Sequence, residues 1–222
     1  MAGERIGVYG GTFDPLHVGH LRVAEALVDR FNFDRLLFVP ANVPPHKRDQ
    51  EISASYHRYA MIALATADAP RLLVSPIELE APARPYTIET LGRLQGVYSD
   101  AALYFVMGAD SFAEVTLWRE HARLLQQYGI IVAMRPGFAK EPDVTGHLAP
   151  ELRARVIDLR GGKSPGEREL ATPRIFLTDF VNEDVSATQI RERIARGERI
   201  AELVPPAVAA YVAKYDLYQW KA

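Results

Sequence analysis

The chain has no cysteine among its 222 residues, which excludes disulfides, thiolate metal sites and cysteine nucleophiles. It carries almost no net charge: 26 Lys and Arg stand against 28 Asp and Glu, a formal balance of -2 with the signs mixed along the chain. No basic face or tail of the kind that tracks DNA or RNA stands out, so no nucleic-acid partner is expected. It also lacks an apolar run near the length of a membrane span, and its first residues show no basic start leading into an apolar stretch. Neither a membrane partner nor a secretory leader is therefore expected, and the expectation is a soluble, cytoplasmic protein. With 48% hydrophobic content, residues 1–222 are long enough for one sizeable α/β domain, and a single domain is expected. A homo-oligomer is left open.

What the chain does have is alternation. Runs rich in Val, Ile, Leu, Phe and Tyr at 5–9, 35–39, 71–76, 103–107, 130–134 and 175–178 read as strands. Between them, apolar residues at three and four spacing predict helices over 18–31, 55–67, 88–98 and a pair across 110–127. A helix over 187–196 ends at Gly197, and Pro205-Pro206 opens a last one through Tyr215. Strand and helix in this order predict a doubly wound, Rossmann-like fold with a mainly parallel sheet, helices on both faces, and a C-terminal helical part at 185–222. Residues 161–173, rich in Gly, Pro, Ser and charge, are expected to be a mobile surface loop. In such sheets ligands lie beyond the carboxyl ends of the strands, which makes every loop after a strand a candidate.

The first of these loops is the most informative. Gly10-Gly11-Thr12-Phe13-Asp14-Pro15-Leu16-His17-Val18-Gly19-His20 follows the apolar Ile6-Gly7-Val8-Tyr9. Adjacent glycines admit dihedrals closed to other residues and let the chain approach a ligand without a side chain in the way. A helix start behind them offers unpaired N–H groups and the positive end of its dipole, so an anion is the natural occupant. Asp14 and Pro15 read as N-cap and first helical residue, and His17 and His20, at i and i+3, then share one side of the helix. The run is neither the dinucleotide fingerprint Gly-x-Gly-x-x-Gly nor a P-loop, whose Gly-Lys-Ser/Thr ending it lacks.

The later loops carry further polar groups. Asn42-Val43-Pro44-Pro45-His46-Lys47-Arg48 is a proline-stiffened loop ending in cationic donors; alone, it reads equally as a solvated basic turn. In Arg84-Pro85-Tyr86-Thr87, Thr87 is a plausible cap with Glu89 in the first turn. Gly108-Ala109-Asp110-Ser111 ends a strand at an acid able to accept from ribose hydroxyls or to cap the next helix. Trp118 is one of two tryptophans and suits either a core position or a platform for a flat ring. Ser186 with Gln189 forms a capping-box pattern, and Thr188 and Arg191, three apart, add a hydroxyl and a guanidinium on one face.

Together and in this order, the motifs resemble the nucleotidylyltransferases marked by His-x-Gly-His, and within them the bacterial nicotinate-nucleotide adenylyltransferases. Gly-Gly-Thr-Phe-Asp-Pro is similar to the adenylyltransferases that build NAD and coenzyme A. Asn-x-x-Pro-Pro-His-Lys looks like a loop that grips the phosphate of nicotinate mononucleotide, and Pro-Tyr-Thr with Thr90-Leu91 resembles a segment that meets the nicotinate carboxylate through backbone N–H groups. Ser186-Ala187-Thr188-x-x-Arg191 resembles the second signature, Ser-Ser/Thr-Thr-x-x-Arg, with Ala187 where a serine is usual. The tail, from Leu203-Val204-Pro205-Pro206 through Tyr211 to Leu217-Tyr218, looks like the family's closing helix. The resemblance implies ATP on Gly10, Gly11, Thr12, Phe13, His17, His20, Gly108, Asp110, Ser186, Thr188 and Arg191. It implies nicotinate mononucleotide on Asn42, His46, Lys47, Tyr86, Thr87 and Trp118, with His17, His20, Lys47 and Arg191 acting on the phosphates. The implied reaction is adenylyl transfer, with Mg2+ arriving on ATP. Two alternatives stand beside it: pantetheine-phosphate adenylyltransferase, and a nucleotide-binding sensor of the same fold without turnover.

Overall fold

The computed structural model describes residues 3–42, 52–134, 143–181, 183 and 185–219. Seven strands form one sheet: β1 (Arg5–Gly11), β2 (Arg35–Pro40), β3 (Leu72–Val74), β4 (Ala102–Gly108), β5 (Gly129–Ala133), β6 (Val156–Asp158) and β7 (Ile175–Thr178). Their order is β3-β2-β1-β4-β5-β7-β6, and every pairing is parallel. Both faces are buried, as parallel sheets require, and the pleat divides each strand between two cores. Ile6, Val8, Leu37, Val39, Leu103, Phe105 and Met107 face one side. Tyr9, Leu36, Phe38, Tyr104 and Val106 face the other.

From β1 the chain steps outward through β2 and β3, then returns to lay β4 on the opposite side of β1. That reversal leaves a crevice beyond the carboxyl ends of β1 and β4, where connections leave in opposite directions. The helices that flank it are α1 (Val18–Arg30), α2 (Ser55–Ala65), α3 (Thr87–Val97), α4 (Ala109–Ala113) and α5 (His121–Gln127), with a 3-10 turn at Val115–Leu117 between the last two.

Beyond β5 the chain is less regular and departs from expectation. Two short helices, α6 (Pro150–Arg153) and α7 (Glu167–Leu170), and strand β6 lie where no element is predicted. The segment expected to be a mobile loop at 161–173 contains α7 and is anchored. Leu170 is buried, the Tyr104 hydroxyl donates to its carbonyl at 2.9 Å, and Glu167 pairs with Arg5. One apolar residue meeting a core formed far away in sequence outweighs a polar local composition. The tail forms α8 (Ala187–Ala195) and α9 (Pro206–Lys214). Ile190, Ile200, Val204, Val208, Val212 and Tyr218 close with Met61 of α2 into a third apolar cluster beside the crevice. No helix among the described residues is long and apolar enough to cross a membrane.

Candidate active site

The loop after β1 is shaped by steric space. Gly10 and Gly11 lie in the strand without left-handed backbone; a Cβ at Gly10 would come within 2.8 Å of the Phe105 ring, and one at Gly11 within 2.8 Å of the Phe13 ring. The left-handed residue is Phe13, at φ 51°, a conformation that costs a side-chain-bearing residue about 1–2 kcal/mol. Its ring is held by Tyr9, Phe38 and His20 at centroid distances of 5.4, 5.4 and 5.0 Å. The expectation of glycine turn freedom is thus corrected: the glycines give room to aromatic rings, and the turn itself falls on Phe13.

Asp14 does not cap α1. The helix begins at Val18 with His17 as N-cap, because the buried Asp14 carboxylate is claimed by tertiary partners. The Tyr218 hydroxyl donates to Oδ1 at 2.7 Å and the Ser53 N–H to Oδ2 at 3.2 Å. A desolvated carboxylate needs such donors more than a helix end needs a cap.

His17 and His20 stack, with ring centroids 3.7 Å apart and planes 25° from parallel. The His17 N–H donates to His20 Nδ1 at 3.3 Å. With Nδ1 accepting, the neutral His20 ring carries its proton on Nε2. Gly19 makes the stack possible, since a Cβ there would sit 3.1 Å from His17 Nδ1. The first-turn donors are also less open than expected: Val18 N–H is taken by the Leu203 carbonyl at 3.0 Å, and His20 N–H returns to the His17 carbonyl at 3.0 Å. Anion contact at this end falls mainly to side chains.

The second motif arrives from α8. Ser186 is its N-cap and forms the expected capping box, with Gln189 N–H to Ser186 Oγ and Ser186 N–H to Gln189 Oε1 both at 3.2 Å. Arg191 donates from Nη1 to the Asp14 carbonyl at 2.8 Å and from Nη2 to Thr188 Oγ1 at 3.3 Å. Two motifs separated by 177 residues therefore meet at one residue.

On the other side, Asn42 is in place after β2, whereas His46 and Lys47 lie outside the described residues. The organiser here is Arg58 of α2, only 1% exposed. It donates to the carbonyls of Ser53 (3.0 Å), Thr12 (2.8 Å), Ala41 (2.6 Å) and Asn42 (3.0 Å). Burial lowers its pKa, opposed by the nearby Asp14 and Glu78 carboxylates. Sequence reasoning missed Arg58, although its spacing to the buried Met61 and Ile62 placed a charge on the apolar face of α2. Glu78 joins the same region to α3: it accepts from Thr90 Oγ1 at 2.7 Å and from the Asn42 N–H, and burial raises its pKa.

The cap of α3 is Tyr86, and Thr87 is its first helical residue, so the helix begins one position earlier than expected. Glu89 does the capping in place of the Thr87 hydroxyl, with its Oε2 accepting from Tyr86 N–H at 3.0 Å. The Thr87 and Ile88 N–H groups, at N1 and N2, have no acceptor within the helix. Trp118 is half-buried, packed on the sheet with its ring 6.3 Å from Phe105 in an edge arrangement. The neighbouring Arg119, not singled out from sequence, lies 4.7 Å over the Tyr86 ring and 3.8 Å from Glu89 Oε1, which brings Trp118 and the start of α3 together. Gly108 caps α4, leaving Asp110 exposed in the first turn at the end of β4 instead of serving as the cap.

The chain matches the family described as cytidylyltransferase-like over residues 8–193. A protein of Thermoanaerobacter sp. named "probable nicotinate-nucleotide adenylyltransferase" is 37% identical over 216 residues, covering 97% of this chain and 94% of the relative. One of Roseiflexus sp. with the same name is 37% identical over 221 residues, covering 99% and 100%. Among solved structures, the fold is similar to that of Plasmodium falciparum nicotinic acid mononucleotide adenylyltransferase complexed with NaAD, with a TM-score of 0.69, 18% identity and 98% of each chain covered. Similarity over the full length of these relatives accompanies a parallel sheet whose described strand-end loops carry the motifs at one crevice, and the chain belongs to the nicotinate-nucleotide adenylyltransferases of the cytidylyltransferase-like family.

Proposed function

We propose that the protein transfers the adenylyl group of ATP to nicotinate mononucleotide, forming nicotinate adenine dinucleotide and releasing pyrophosphate. The observation that carries this reading is the junction at Asp14, where the histidine-bearing helix and the Arg191 helix are joined at the mouth of the parallel sheet. A phosphate chain lying there meets the positive end of α1, the two imidazoles and one guanidinium. The nucleophile is the phosphate oxygen of the acceptor, already an anion at neutral pH, so no general base is needed. It forms a bond to the α-phosphorus as the bond to the β-phosphate bridge oxygen breaks, and the electron pair leaves with pyrophosphate. Catalysis is then positioning and charge stabilisation. His17, His20 and Arg191 serve the ATP phosphates, and Lys47 approaches with the acceptor's phosphate.

On the acceptor side, Asn42 and His46 complete the phosphate grip, Trp118 offers its face to the pyridine ring, and the α3 start receives the carboxylate. On the ATP side, Gly108 and Asp110, at the end of β4, take the ribose of the adenosine. Mg2+ enters as part of the ATP substrate. No group of three or more His, Asp or Glu among the described residues is arranged to hold a metal, and Asp14 is committed to Tyr218 and Ser53; this donor set suits an ion carried on the triphosphate with its own waters. The compartment proposed is the cytoplasm.

One assay tests the reading against its rivals: ATP-Mg2+ with nicotinate mononucleotide, nicotinamide mononucleotide or phosphopantetheine, reading pyrophosphate. Release with the first is expected. Release only with phosphopantetheine would reassign the substrate, and ATP binding without turnover on any acceptor would make the protein a sensor. His17→Ala is expected to fold and lose about 100-fold or more in kcat, the scale of removing one transition-state donor. An unchanged kcat in the folded variant rejects that role.

A further inference from the structure

The turn after α9 is built in a costly way and aimed at the site. Two side-chain-bearing residues there adopt left-handed backbone, Asp216 at φ 49° and Tyr218 at φ 65°; such conformations persist where surrounding contacts over-determine them and cluster at functional positions. Tyr218 is 2% exposed, with its ring in the cluster of Met61, Ile190, Val208 and Val212. Its hydroxyl reaches Asp14 Oδ1 at 2.7 Å, across 204 residues of sequence. The same Asp14 receives Arg191 on its carbonyl and lies three residues before His17. Leu203, also in the tail, takes the first N–H of α1. Burial and the adjoining Asp14 carboxylate raise the phenol's pKa far above its ordinary value, so the hydroxyl is a donor at every working pH.

We infer that Tyr218 is a positioning residue for the ATP half of the site: its hydroxyl fixes Asp14, and Asp14 in turn sets the place of Arg191 against the histidines. The inference rests on the reading of Arg191 as a ligand of the ATP phosphates. A tail that only stabilises the fold would affect both substrates alike, whereas this geometry ties Tyr218 to Arg191 through the single residue Asp14 and reaches Asn42 at a further remove, through Ser53 and Arg58.

The test is Tyr218→Phe, which removes one oxygen and keeps the ring in its cluster. Loss of one hydrogen bond to a charged group predicts a rise of about 10-fold or more in the KM for ATP and in the Kd for Mg-ATP. The KM for nicotinate mononucleotide stays within about twofold, as for an independent site. Asp14→Asn, a second variant that weakens the same bond, gives the same split. Combined with Arg191→Ala, Tyr218→Phe adds little further to the Kd for Mg-ATP, because residues acting through one another are not additive. Unchanged ATP parameters, a parallel rise in both KM values, additive losses, or collapse of the fold in both variants each overturn the inference. If Arg191→Ala alone binds ATP as the parent does, the reading of Arg191 is what fails; if it weakens binding while Tyr218→Phe does not, only the role of Tyr218 falls.

Discussion

Arg58 concentrates at one residue the problem that the whole site has to solve. The ends of β1 and β2 leave the sheet with carbonyls that the sheet no longer satisfies, and one guanidinium gathers those of Thr12, Ala41 and Asn42 together with Ser53. A planar fork of five donors suits this; a lysine's point charge does not. Arg58→Met keeps the apolar contacts and removes every one of these bonds. It should destabilise the protein by about 3 kcal/mol or more, read as a lower midpoint in urea unfolding, and raise the KM for the acceptor by loosening the loop at Asn42. A shift within about 0.5 kcal/mol would show that water replaces the guanidinium. At this scale legibility divided by the range of the interaction. The Ser186–Gln189 capping box is local and legible, and Glu89, also local, leaves the start of α3 misread by one position only, whereas Asp14 reads as a cap only as long as Tyr218, 204 residues away, is out of view.

Among the elements, α3 shows how two substrate loops are tied into one unit. Glu78, just beyond β3, holds Thr90 on α3 and the N–H of Asn42 at the end of β2. Burial raises its pKa above the unfolded value, with Thr90 and Asn42 opposing. The folded state therefore keeps this proton at pH values where the unfolded chain has released it. The associated stability is full below the ordinary carboxylate pKa of about 4.3 and is lost as pH rises through the folded value. Glu78→Gln removes the ionisation, so the stability of the parent relative to the variant should fall as pH rises from about 4 to 7, measured by urea unfolding at several pH values. A constant difference would mean that Glu78 titrates alike in both states. The helix itself was legible from its apolar spacing, and buried Ile88, Leu91 and Leu94 fit that spacing. The carboxylate bridging it to another loop was not, because nothing in the local pattern around Glu78 names a partner.

At the scale of the molecule, the tail packs beside the crevice. Ile200, Val204, Val208 and Val212 bury their side chains against Met61 and Ile190; at about 1.5–3 kcal/mol per buried aliphatic side chain, the group rivals the whole stability of an ordinary domain, about 5–15 kcal/mol. A chain ending at Arg199 also loses Tyr218 from Asp14 and the Leu203 carbonyl from Val18. It should show no cooperative thermal transition near that of the full chain in circular dichroism. A truncated chain that melts as the parent does would make the third cluster dispensable.

What residues a few positions apart can say is legible in the chain alone: the alternation of strands and helices, the order of the motifs, and the chemistry of histidine, arginine and tryptophan at strand ends. These depend on periodicities of two and 3.6 residues and on side-chain type, so they are written locally. The strand order that opens the crevice, the anchoring of Leu170, the hub at Arg58 and the meeting of Arg191 and Tyr218 on Asp14 depend on groups up to 204 residues apart. A buried polar group takes whichever partner the packing brings within 3 Å, and no local pattern carries that distance.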